Sequence, residues 1–170
     1  MTAIVIRPEP VSVGDGMQIV AANITGLADD PRRLWYRIET TAQPDEIAVA
    51  HALVVSVINA AMALGRDIVV DGPLTRGTVM NLLEYQRIWS AWMPALYRRV
   101  AIAARELLPD EPFRPERRFV LPFSGGLDSA HSALVLSETR DLGALMPIHG
   151  LEITLADTER WTNTVVGLRA

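Results

Sequence analysis

The segment Ser124-Gly125-Gly126-Leu127-Asp128-Ser129 lies between an apolar run, Phe119 to Phe123, and a helix-forming stretch, Ala130 to Glu138. That order fixes a local fold: strand, glycine-rich turn, helix. Paired glycines let the main chain turn sharply and come close to a ligand. A helix starting straight after the turn aims free N–H groups and the positive end of its dipole at one spot, an arrangement suited to a phosphate. Ser124 and Ser129 add hydroxyl donors. Asp128 repels phosphate, so its role there requires a cation, and Mg²⁺ bridging phosphate oxygens supplies one. The simpler reading of the same residues is a glycine turn followed by a Ser or Asp helix cap.

These residues resemble the PP-loop, Ser-Gly-Gly-x-Asp-Ser, of the ATP pyrophosphatase (N-type) superfamily. That family includes asparagine, NAD and GMP synthetases and 7-cyano-7-deazaguanine synthase. The resemblance covers about Arg117 to Asp157. It implies ATP and Mg²⁺ as ligands and a ligase-type reaction. A substrate oxygen is adenylated, pyrophosphate leaves, and a nitrogen nucleophile then displaces AMP. It implies nucleotide contacts at Ser124, Gly125, Gly126, Leu127, Asp128 and Ser129, with Asp128 on the metal. Family members hold the adenosine beside the end of the second strand, which here brings in His149 and Gly150. The family domain is a doubly wound, five-strand parallel sheet, of the kind found in adenine nucleotide alpha hydrolases. Only two strands are legible after Arg117, so this part reads as the incomplete start of such a sheet. The alternative is a truncated or degenerate nucleotide-binding or interaction module without activity of its own.

Composition narrows the chemistry. The 170 residues are 49% hydrophobic and 21% charged, enough apolar surface for one domain or two small ones. The chain has no cysteine, so these residues offer no disulfide, thiolate ligand or thiol nucleophile. All 16 basic residues are arginine. Without lysine there is neither a Walker A loop nor a Schiff base. A net charge of −4 gives no polyanion-binding surface over the whole protein, and nucleic acid is not an expected partner. The expected partner is a small-molecule substrate. The start of the chain is too short an apolar run for a secretory signal. No stretch reaches about 18 uninterrupted apolar residues, so no membrane is expected and a cytoplasmic location is.

The pattern along the chain predicts an α/β protein: a small N-terminal α+β unit (1–107), a linker (108–116) and the PP-loop segment (117–170). In the first unit, strands are expected over Ile4–Arg7, Gln18–Ile24 and Arg33–Thr40. A helix follows from about Pro44 to Leu64, stopped by Gly65, with Ile47, Val54, Val55 and Ile58 on its buried stripe. Asp67–Asp71 reads as a strand and Gly72-Pro73 as a turn. Thr75 caps a second helix reaching about Trp92, with Val79, Leu82, Leu83, Ile88 and Trp92 inward. Tyr97–Ala104 reads as a strand, although Ala103 to Leu107 is compatible with helix. The order is β-β-β-α-β-α-β. His51 reads as a satisfied or exposed histidine, and Trp35, Trp89 and Trp92 as core or interface residues. The unit is a candidate for substrate recognition or homo-oligomer formation. In the second unit Ala130, Leu134 and Val135 are expected to face the sheet. Asp141-Leu142-Gly143 reads as a turn, Ala144–Ile148 as a strand parallel to the first, and Asp157–Leu168 as a helix.

Overall fold

The computed structural model describes residues 2–14, 17–39, 43–110, 119–139 and 142–169. The chain is α/β and divides into two compact units, Met1–Glu111 and Pro112–Ala170.

The first unit is one mixed sheet with two helices. β1 (Ile4–Pro8), β2 (Ser12–Gly14), β3 (Met17–Thr25) and β4 (Arg32–Glu39) come first. They are followed by α1 (Glu46–Leu64), β5 (Ile68–Thr75), α2 (Arg76–Trp92) and β6 (Ile102–Leu108). β1 and β2 both pair antiparallel with β3, in the registers Ile6↔Ile24 and Ser12↔Ile19, and β4 covers the other side of β3. β5 lies parallel to β1, with Ile4 opposite Ile68, and β6 lies parallel to β5. Side chains alternate across this sheet. Ile4, Ile6, Ile24, Ile68 and Val70 share a face and are buried in one cluster with α1 and with Leu82 of α2.

α1 explains that core. Asp45 caps it, its carboxylate accepting from the Ala48 N–H at 2.7 Å, and Gly65 ends it in the left-handed region at φ 62°. Its buried positions, Val49, Ala50, Leu53, Val54, Val57, Ile58, Ala61 and Met62, recur as adjacent pairs one turn apart. That makes a stripe two residues wide. Each large aliphatic side chain among them contributes about 1.5–3 kcal/mol by leaving water. By length and composition α1 is apolar enough to cross a bilayer, but here its stripe forms the core.

Several expectations need correction. Val55 lies opposite the buried stripe and is exposed. Gly72-Pro73 is not a turn. Both belong to β5, where the pairing with β6 shifts register between Val70 and Pro73, and a bulge tolerates proline. Ile88 and Trp92 are exposed; α2 instead turns Leu82 and Gln86 inward. The last strand of the unit is Ile102–Leu108, so Leu108 closes the sheet and does not open a linker. β2 is an additional strand, which pairs with β3 from Ser12↔Ile19 to Gly14↔Met17 and so continues the β1 edge along it. Of the rest of the expected linker, Pro109 and Asp110 are described and carry neither helix nor strand, and Glu111 to Glu116 lie outside the described residues.

The second unit contains β7 (Phe119–Pro122), α3 (Leu127–Thr139), β8 (Leu142–Met146) and α4 (Thr158–Arg169). β7 and β8 form a parallel pair, Leu121 opposite Leu145. Leu142 and Gly143, expected in a turn, begin β8, and Asp141 lies outside the described residues. The strand therefore ends before Pro147, which removes the conflict of a proline inside a ladder. α3 does not present Leu134 and Val135 to a core, since both are exposed, as is Ala130. Its half-buried positions are Ser129, Ser132, Ala133 and Leu136, one helical stripe. Asp157 starts α4, its carboxylate accepting from the Arg160 N–H at 3.2 Å. Among the described residues of this unit Ile153 is the one buried hydrophobic side chain.

Candidate functional site

The loop between β7 and α3 carries Ser124, Gly125, Gly126, Leu127, Asp128 and Ser129 in one turn and the first turn of the helix. Phe123 N–H donates to the Met146 carbonyl at 2.9 Å, so the loop leaves the sheet where both strands end. Gly125 has φ 81°, a conformation that costs about 1–2 kcal/mol for a residue with a side chain. A Cβ built on Gly125 would meet nothing within 4 Å, so the space in front of this residue is open.

Hydroxyls stiffen the turn. The Gly126 N–H donates to Ser124 Oγ at 3.2 Å, and Ser129 Oγ donates to the Gly126 carbonyl at 2.9 Å. The two serine hydroxyls lie 3.1 Å apart. The first helical bond is from Ala130 N–H to the Gly126 carbonyl at 3.0 Å. The N–H groups of Gly125, Leu127 and Asp128 make no bond to other described residues, as expected of donors ahead of the first helical bond. Free donors of this kind, at the positive end of a thirteen-residue helix, suit an oxyanion.

Asp128 is exposed and has no partner among the described residues. No group of three or more His, Asp or Glu converges anywhere among the described residues. A single free carboxylate beside open N–H donors is compatible with Mg²⁺, which is commonly held by one or two carboxylates, substrate phosphates and water.

Beside the loop is a cavity of about 150 Å³, lined by Phe123, Ser124, Ile148, Ile153, Trp161 and Leu168 among others. Ser124 belongs both to the loop and to the cavity wall. His149 and Gly150 lie just beyond the end of β8. The His149 ring stacks on Trp161 with centroids 4.6 Å apart and planes 2° from parallel. Its Nε2–H donates to the Thr154 carbonyl at 2.9 Å. Gly150, at φ 100°, turns the chain, and its N–H donates to the Ile153 carbonyl at 2.9 Å.

The first unit has an open cleft of about 400 Å³ past the end of β1, bordered by Glu9, Glu46, Asp71 of mid-β5 and Arg105. Arg105 is already paired with Glu46, and Asp71 lies 3.8 Å from it. His51 is bonded rather than free. Its Nε2 accepts from the Thr75 N–H at 3.1 Å, and its Nδ1 lies 3.3 Å from Thr78 Oγ1. Trp89 sits in a ring cluster with Tyr85, Trp92 and Tyr97, whereas Trp35 is 54% exposed.

Sequence reasoning missed Trp161 and Gln86. Trp161 had no visible role because its partner is distant in sequence. Gln86 is fully buried on an otherwise apolar helix face, where its Oε1 accepts from the Val100 N–H at 2.7 Å. Comparison of the chain with protein-family models, with curated proteins and with solved structures finds no match to any of them.

Proposed function

We propose that the second unit is the nucleotide-binding part of a PP-loop ATP pyrophosphatase-type synthetase, and that β7 and β8 begin a doubly wound parallel sheet. The observation that carries the reading is the turn at Ser124–Ser129: free N–H donors, a helix terminus and an unpartnered aspartate, next to an apolar cavity. In this reading the N–H groups of Gly125, Leu127 and Asp128 and the hydroxyls of Ser124 and Ser129 hold the β- and γ-phosphates of ATP. Gly126 N–H exchanges Ser124 Oγ for a phosphate oxygen. Asp128 holds Mg²⁺, which supplies charge neutralisation at the phosphates when bound. The adenine ring enters the cavity of Phe123, Ile153 and Trp161.

A substrate oxygen then attacks the α-phosphorus, the α–β bridge breaks, and the bridging oxygen leaves with pyrophosphate. Negative charge grows on the β-phosphate side, where the loop donors are already aimed. A nitrogen nucleophile displaces AMP and gives up a proton. The test is product identity. With α-labelled ATP, Mg²⁺, carboxylate substrates and ammonium, label is expected in AMP, and label in ADP would overturn the reading.

A second reading is a nucleotide-binding module without turnover. It is favoured by the thin core of this unit: two paired strands, with Ile153 the one buried hydrophobic side chain among its described residues. In that case ATP binds and is recovered unchanged.

A further inference from the structure

Three pieces of chain line the cavity, the end of β7 with its loop and two others, and these two need fastening. One is the loop after β8. Its His149-to-Thr154 segment is closed by the two bonds to the Ile153 and Thr154 carbonyls, and it delivers Ile153, 9% exposed, to the cavity. The other is α4, which delivers Trp161. Among the described residues, the His149 ring links both pieces. A carbonyl can only accept, so Nε2 carries the ring proton and anchors His149 to its own loop. The ring face is then laid flat on the Trp161 indole. His149 is not itself among the residues lining the cavity.

We propose that His149 is a positioning residue for the nucleobase slot: by stacking on Trp161 it fixes the wall against which a flat heteroaromatic ring lies. The inference rests on the nucleotide reading above and assigns a task to a residue that reading leaves as a mere neighbour of the ligand. The stack limits rotation of Trp161 about its side-chain bonds, so the ligand does not bear the cost of ordering it. An aromatic pair contributes about 0.5–1.5 kcal/mol beyond area burial, which corresponds to roughly twofold to tenfold in affinity.

The experiment measures the affinity of adenosine and of Mg-pyrophosphate separately, for the full chain and for His149→Ala, His149→Phe and Trp161→Ala. Adenosine reports the slot and pyrophosphate reports the loop. His149→Ala should weaken adenosine roughly twofold to tenfold and leave pyrophosphate unchanged. His149→Phe, which keeps a ring on Trp161 but loses the bond to the Thr154 carbonyl, should recover part of the lost adenosine affinity. In a Trp161→Ala background, His149→Ala should have no further effect, because the pair acts as a unit. Unchanged adenosine affinity in His149→Ala, no rescue by His149→Phe, or an equal loss for pyrophosphate would each overturn the proposal. A wild-type chain that binds pyrophosphate but not adenosine would sink the slot while leaving the loop reading intact. A chain that binds neither would sink both.

Discussion

An exposed carboxylate at the mouth of a turn built from N–H donors works against anion binding unless a cation joins it. Asp128 occupies that place, in the first turn of α3, where the helix dipole also stabilises its negative charge. The side chain supports no other described residue, so removing its charge should leave the fold intact. Asp128→Asn is therefore expected to weaken Mg-ATP binding by at least about tenfold, the smaller of the losses seen when even an outer partner of a metal ligand is removed. Metal-free ATP should bind the variant no worse than the wild type. Equal Mg-ATP affinities for the two proteins, measured by calorimetry, would remove the metal role from Asp128. The loop was legible at this scale because its chemistry is local: two glycines, two hydroxyls and an acid within six positions. Gln86 and Trp161 were not, because the groups that give them meaning, Val100 N–H and the His149 ring, come from elsewhere in the fold.

Between elements, the clearest fastening is His51 of α1 against the start of α2. Nε2 accepts from a backbone N–H and must be unprotonated, so Nδ1 carries the proton and donates to Thr78 Oγ1. Asp110 holds the same turn by accepting from the Gly77 N–H at 2.7 Å. Partial burial holds the His51 pKa below its ordinary 6.5, and the nearby Asp45 and Asp110 carboxylates oppose that shift without cancelling it. The unfolded chain therefore takes up a proton more readily than the folded one. The His51 contribution to stability is complete above pH 6.5 and is lost as pH falls through the lower folded-state value. Denaturation midpoints of the wild type should fall as pH drops below 6.5, and those of His51→Leu should fall less steeply over the same interval. Parallel slopes would show that the His51 contact has no part in the pH dependence.

Elements were easier to place than faces. The existence of α1 and α2 followed from end signals and periodicity, with Gly65 and Thr75 at the expected ends, whereas Asp45, expected in the first turn of α1, is its cap. The apolar faces of α2 and α3 did not, because an exposed Leu134 or Trp92 and a buried one look alike in sequence. Gly72-Pro73 misled for a similar reason: turn residues also serve inside a bulged strand.

At the scale of the whole molecule, the two units differ in how they are built. The first has a continuous core around α1 that recruits the sheet and α2, and its cleft at Asp71 and Arg105 is already internally paired. The second has little buried apolar surface and a glycine-rich loop with unspent donors. The unit with the larger core carries no legible motif, and the candidate loop sits on the thin one. Pairing registers, which depend on contacts between distant segments, were beyond composition and pattern. The central claim is that the turn at Ser124–Ser129 cradles pyrophosphate, and amide resonances of the ¹⁵N-labelled chain test it most directly. On titration with Mg-pyrophosphate, the signals of Gly125, Gly126, Leu127 and Asp128 should move while those of α1, β1 and β5 stay in place. Loop signals that stay fixed throughout the titration, or movement confined to the first unit, would contradict it.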